Sequence, residues 1–216
     1  MKIVDQQEWS SRKRTIEVGG TEIAYVESGG HEPALLMVHG FTDTSRSFSL
    51  IAPHLAGRRL VIPDLRGHGA SQLGTSGFSP ASFAADIAGL IDKLELDQPI
   101  IVGHSLGSMV ALEVASRYPG AVGGLVLLAA TLRAEIADDN PMAVGVLSLQ
   151  DPISSADPFY NYWHACEAEV PNDSLEQVAV EASAMSASIW RAIFDELRHA
   201  NLTASAQAVH ARTLII

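Results

Sequence analysis

The chain has 216 residues, 47% of them apolar and 18% charged, which suits one globular α/β domain with room for an insertion. A net charge of −11 argues against nucleic acid and anionic membrane surfaces as partners. The one cysteine, Cys166, excludes an internal disulfide and fits a reducing, cytoplasmic setting.

Residues 1–14 are polar and carry no apolar stretch of a signal peptide, and no later run approaches a membrane span. Thr15–Val18 and Glu22–Val26 flank Gly19-Gly20-Thr21, a hairpin pattern. Ala34–Val38 is a continuous apolar run, as a buried strand requires. His39-Gly40-Phe41-Thr42 follows it. Ser45 to Leu55 can form a short helix whose end Pro53 interrupts. Leu60–Ile62 is another buried strand, ended by Pro63-Asp64. Ser79-Pro80 opens a helix, serine as N-cap and proline at the first position. Its apolar face is Phe83, Ile87, Leu90, Ile91 and Leu94.

Ile100-Ile101-Val102 then leads through Gly103-His104-Ser105-Leu106-Gly107 into a helical pattern reaching Tyr118. Where a strand turns sharply into a helix, the middle residue takes a strained backbone and its neighbours must be small. Glycines at 103 and 107 meet that need, which makes Ser105 a candidate nucleophile above a helix N-terminus. Pro119-Gly120 stops this helix, Leu125–Leu128 is a further strand, and Thr213–Ile216 is one more. Between Thr131 and Val209 no buried-strand run occurs, only helical pieces such as Ser174–Ser188 and Ile189–Ala200.

This alternation predicts an α/β fold: a mostly parallel, doubly wound sheet with an N-terminal antiparallel hairpin and an inserted helical cap. The expected division is a core over 1–130, a cap over 131–209 and a returning core strand over 210–216. The cap aromatics Phe159, Tyr160, Tyr162, Trp163, Trp190 and Phe194 can form the cap's own core, or one or two can line a pocket over Ser105. Phe159 and Trp163 are the substrate-binding candidates.

His39-Gly40-Phe41, Asp64-Leu65-Arg66-Gly67-His68-Gly69-Ala70-Ser71 and Gly103-His104-Ser105-Leu106-Gly107, in this order, resemble the α/β-hydrolase superfamily. The likeness is to its cap-bearing branch of serine esterases, enol-lactonases and carbon–carbon bond hydrolases. It implies that Ser105 is the nucleophile. It also implies that the backbone N–H groups of Phe41 and Leu106 form the oxyanion hole, two preset donors for the negative oxygen created by attack on a carbonyl. His39, Asp64, Arg66 and His68 are then structural, and His104 diverges from its neighbour Ser105. A serine nucleophile argues against the haloalkane dehalogenases and epoxide hydrolases of the superfamily, which place aspartate there.

The family pattern sets an acid after the strand matching Thr213–Ile216 and a base histidine after one more strand. The chain ends at Ile216, so its C-terminal part is expected to be missing, and these 216 residues alone are expected to be inactive. The expected activity is hydrolysis of small carboxylic esters or lactones through an acyl-enzyme. Carbon–carbon bond hydrolysis, or ligand binding without catalysis, is the alternative. No cofactor is expected, since no dinucleotide or phosphate-loop pattern occurs. No metal is expected either, since there is no H-E-x-x-H and no cysteine pair. The partner is expected to be a small molecule, not nucleic acid or membrane, and the oligomeric state is left open.

Overall fold

Seven strands form one sheet in a computed structural model that describes residues 5–75 and 77–216. In chain order they are β1 (Arg14–Val18), β2 (Thr21–Ser28), β3 (His31–Val38), β4 (Arg58–Pro63), β5 (Ile100–His104), β6 (Gly124–Leu128) and β7 (Arg212–Ile215). Their spatial order is β1-β2-β4-β3-β5-β6-β7. β1 and β2 form the antiparallel hairpin, β2 pairs antiparallel with β4, and β4, β3, β5, β6 and β7 run parallel. The hairpin turns at Gly19 and Gly20, both at positive φ, where glycine carries no steric penalty.

Register decides where the chemistry can sit. Val38 of β3 pairs with Gly103 of β5, and Gly103 with Leu127 of β6. The residues that follow these three strands therefore emerge together at one edge of the sheet. In open parallel sheets ligands bind outside such carboxyl ends.

Helices α2 (Pro80–Lys93) and α3 (Leu106–Arg117) cover one face. Ser79 caps α2 by accepting from the Ser82 N–H. Phe83, Ile87, Leu90, Met109, Val110 and Val114 pack there on Leu36, Val38, Val61, Ile101 and Leu125. On the opposite face α1 (Gln6–Ser11) brings Trp9 onto Val26, Met37, Leu60 and Ile62. The indole N–H of Trp9 donates to Ser45 Oγ at 3.4 Å. β7 pairs with β6, yet its side chains are exposed, Ile215 at 68%.

Between β6 and β7 the described residues form helices only: α4 (Pro141–Ser148), α5 (Pro158–Trp163), α6 (Asn172–Ala184), α7 (Ala187–His199) and α8 (Thr203–Ala208). Their buried residues Val146, Tyr160, Ala182, Trp190, Ile193 and Phe194 join the same apolar cluster as the sheet and α3, so the cap packs directly on the core. No helix among the described residues is long and apolar enough to cross a membrane.

Two local readings change. Ser45 to Leu55 is not one short helix but two 3-10 turns, Ser45–Phe48 and Ala52–Leu55. Thr44 caps the first by accepting from the Arg46 N–H, and Pro53 lacks the N–H that would join them. The helical stretch expected over Ser174–Ser188 breaks at Met185, because Ser186 caps α7 by accepting from the Ile189 N–H.

Candidate active site

Ser105 stands between the end of β5 and the start of α3 at φ 51° and ψ −115°, a left-handed backbone uncommon for a non-glycine residue. Such strain costs about 1–3 kcal/mol and persists only where the surroundings enforce it. Here the Ser105 N–H donates to Leu128 O at the end of β6 at 2.9 Å. The Ser105 carbonyl in turn accepts from the Ser108 N–H at 2.9 Å and from Ser108 Oγ at 2.6 Å.

The two glycines explain why strand and helix can cross so closely. A Cβ on Gly103 would lie 2.3 Å from Gly107 O, and one on Gly107 would lie 2.1 Å from Val38 O. Both are backbone atoms that no rotamer change can clear. The crossing leaves the first N–H groups of α3, those of Leu106 and Gly107, without an intrahelical acceptor, beside the Ser105 hydroxyl.

The loop after β3 forms the facing side and is braced from beneath. His39 Nε2 accepts the Leu65 N–H at 2.9 Å, which leaves Nδ1 to donate to Gly40 O at 2.8 Å. This doubly bonded ring is neutral. Burial, followed by the neighbouring His68, holds its pKa down to about 3. Burial likewise holds His68 down to about 4. Asp64 accepts from the Ser45 N–H at 2.8 Å, the Ala70 N–H at 2.9 Å and Lys13 Nζ at 2.7 Å. Burial alone would raise its carboxyl, but Lys13 and these N–H groups outweigh that and keep it below the usual range. Arg66 makes a two-pronged ion pair with Asp86 at 2.6 and 2.5 Å.

Above Ser105 lies a cavity of about 420 Å³, within the usual size range for a small-molecule site. Gly40, Phe41 and Ser105 line it from the core. Ile136, Met142, Trp163, Phe194 and Leu197 line it from the cap side, and Asp43, His104, Thr131 and His164 add polar groups. Phe41 packs edge-on against Trp163 and Trp190, with ring centroids 5.6 and 5.4 Å away. His104 turns its Nδ1 toward Asp43 Oδ2, 3.9 Å distant. Burial, the largest influence on Asp43, pushes its carboxyl above the usual range. A second cavity, of about 430 Å³, opens on the other face of the sheet among Trp9, Val26, Leu60 and Ile62. It lies away from the carboxyl ends of the parallel strands, and Ser105 is not among its lining residues.

The structure thus brings Phe41, Ser105 and Trp163 to one cavity. Leu106 is buried at the start of α3, directly after Ser105, and is not among the residues that line the cavity. Phe159 is not part of the cavity wall: its ring fills the space beside Gly145 of α4 and packs on Trp163 at 5.7 Å. Tyr160 and Trp190 are buried inside the cap, whereas Tyr162 is 72% exposed. Sequence reasoning passed over Asp43 and His164. The signal for His164 was its spacing from Tyr160, four residues along the chain, and their rings now lie 4.5 Å apart. Its Nε2 is buried with no hydrogen-bond partner among the described residues, and burial lowers its pKa.

Strand order, the strained serine between β5 and α3, and the helical insertion after β6 together define the α/β-hydrolase fold. Residues 33–155 match the alpha/beta hydrolase fold family, and the chain belongs to it. An uncharacterised protein of Mycobacterium tuberculosis is 39% identical over 102 residues, which make up 47% of this chain and 30% of that protein. The matched part thus spans about a third of that relative's length. An esterase from Exiguobacterium antarcticum shares the fold with a TM-score of 0.79 at 22% identity, over 93% of this chain and 79% of the esterase. So does an N-acyl homoserine lactonase bound to N-butanoyl homoserine, with a TM-score of 0.74 at 22% identity, over 93% and 76% of the two chains.

Proposed function

We propose that this protein is a serine hydrolase of small carboxylic esters or lactones, acting through an acyl-enzyme. The observation that carries the reading is Ser105 itself: a non-glycine residue at φ 51° on a glycine-flanked strand-to-helix turn, at the base of a cavity. Its hydroxyl attacks the carbonyl carbon as a base takes its proton. The carbonyl oxygen, now negative, is held by the N–H groups of Phe41 and Leu106, donors fixed before the reaction begins. Collapse of the tetrahedral intermediate expels the alcohol, or opens the lactone ring, and leaves the acyl group on Ser105. Water then attacks that ester over the same oxyanion hole and frees the acid.

The cavity supports this choice of substrate. The largely apolar cap-side wall of Ile136, Met142, Trp163, Phe194 and Leu197 suits a short alkyl or aryl acyl chain, and about 420 Å³ suits a small molecule. The esterase and the lactonase that share the fold fit an ester or lactone carbonyl. No cofactor takes part in the proposed steps. The single thiol, Cys166, is free and exposed, which suits a reducing compartment, and we place the protein in the cytoplasm.

The test, run on the product of the complete reading frame, is labelling with an active-site fluorophosphonate together with turnover of p-nitrophenyl esters. Ser105→Ala should abolish both. Labelling or turnover that survives Ser105→Ala would sink the assignment.

A further inference from the structure

Two cap side chains reach beyond the cavity and bond the loop that carries Phe41. Trp163, the last residue of α5, donates its indole N–H to Thr42 Oγ1 at 2.9 Å, across 121 positions of sequence. Glu181 of α6 accepts from Arg46 Nη2 at 2.6 Å and from the Thr44 hydroxyl. Arg46 is itself buried and bonded to α1, with Nη1 donating to the Gln6 carbonyl at 2.9 Å and Nη2 to Ser10 Oγ at 2.7 Å. Lys13 adds a second cation 3.7 Å from Glu181. The far end of the loop is thus locked by a buried charge network, while at the near end the Asp43 N–H and His39 Nδ1 both bond Gly40 O, at 3.3 and 2.8 Å, and Trp163 supplies the bond that comes from the cap.

The near end is the part that matters for an oxyanion. Thr42 follows Phe41 directly, is buried, and sits at φ 68°. A β-branched residue at positive φ is a true outlier that its surroundings must hold, and the Asp43 N–H donates to Gly40 O at 3.3 Å to close the turn there. Trp163 hydrogen-bonds that residue's side chain from the cap, and the Trp163 ring packs edge-on against Phe41 itself.

We propose that Trp163 is a positioning residue: through Thr42 it fixes the turn that aims the Phe41 N–H at the oxyanion, so that full oxyanion stabilisation requires the cap to be seated. This rests on the proposed roles of Ser105 and Phe41. It makes the cap part of the catalytic apparatus as well as a substrate filter. The indole N–H serves the transition state, whereas the indole ring serves as wall.

The two parts of the side chain can be separated. Trp163→Phe keeps an aromatic wall and removes the donor; Thr42→Val removes the acceptor and keeps the branched shape; Thr42→Ser keeps the hydroxyl. Turnover of p-nitrophenyl butyrate by the whole protein is the readout, with thermal unfolding measured alongside. Loss of an oxyanion donor costs about 10²–10³ in rate, and a misaimed one costs part of that. Trp163→Phe and Thr42→Val should each lower kcat about tenfold or more, with KM changed less than about threefold, and the double variant should fall no further than either single one. Thr42→Ser should keep kcat within about threefold of wild type, since its hydroxyl still accepts the bond. The proposal is overturned by wild-type kcat in either donor or acceptor variant, by a loss confined to KM, or by losses that multiply in the double variant. Ser105→Ala separates the two levels. If it is dead while Trp163→Phe and Thr42→Val turn over normally, only this inference fails; if it is active, the parent reading fails and this one with it.

Discussion

Gly107→Ala is the smallest change that should disable the site without touching a reacting group. The added Cβ would sit 2.1 Å from Val38 O and 2.7 Å from both His39 O and the Val38 carbonyl carbon. Cβ atoms in real proteins essentially never approach closer than 3.0 Å, and these neighbours are backbone atoms of β3 and the residue after it, held in the sheet by pairing with β4 and β5. The start of α3 must therefore back away by about 1 Å, and a misplacement of that size costs about 10² in rate. Ser105 and the Leu106 N–H move with it. Stability should suffer less. Overpacking of this kind costs about 1–3 kcal/mol, while alanine in place of a helical glycine returns up to about 1 kcal/mol. The net loss is at most about 3 kcal/mol, which corresponds to a fall in Tm of no more than about 12 °C for a chain of this size. The assay is kcat/KM on p-nitrophenyl esters beside a thermal melt. Gly120→Ala is the control, because a Cβ there meets nothing within 4 Å. A Gly107→Ala protein whose kcat/KM stays within about threefold of wild type would refute the argument that close crossing of β3 and α3 positions the serine.

Two further outcomes can be checked on the same protein. Leu197→Ala removes part of the apolar cavity wall, so the ratio of kcat/KM for a hexanoyl over an acetyl p-nitrophenyl ester should rise about tenfold, the order expected for one or two methylenes in an apolar pocket; equal loss on both esters would mean that Leu197 only supports the cap. Stability should also fall on acidification below about pH 6.5. His39 and His68 are buried with pKa values held near 3 and near 4, against 6.5 when unfolded, so below pH 6.5 the unfolded chain binds protons that the folded one does not. Their contribution is complete above pH 6.5 and is lost as pH falls toward 4 for His68 and toward 3 for His39, at up to about 1.4 kcal/mol per pH unit for each ring. Urea melts at pH 7, 6 and 5 measure it, and a His68→Gln variant should show a shallower decline; an unchanged slope in that variant would remove His68 from the account.

What the sequence determined by itself is whatever one element decides alone. Burial on a strand or a helix leaves a period in the chain, so Ala34–Val38, Leu60–Ile62, Ile100–Val102 and Leu125–Leu128 announced the parallel strands. Ser79-Pro80 likewise announced α2, because capping is settled within four residues. The turn at Gly103-x-Ser105-x-Gly107 was legible for the same reason: the strain and the crowding lie inside the motif. Helix α1 shows a local signal passed over, since Asp5 caps it by accepting from the Gln7 and Glu8 N–H groups. Where neighbours compete, local reading failed, as when Ser186 ended one expected helix by starting another.

Tertiary structure alone decided which cap aromatics face the cavity. Trp163 and Phe194 reach it, Tyr160 and Trp190 fill the cap core, and Phe159 packs into the space left by Gly145. All five lie on α5 or α7, and nothing in a helical period states the angle at which that helix docks on another. The same holds for Asp43 and His164 beside Ser105, and for the bond from Trp163 to Thr42. Each joins segments far apart in the chain, and such a contact exists only once the sheet has set its register and the cap has settled on it.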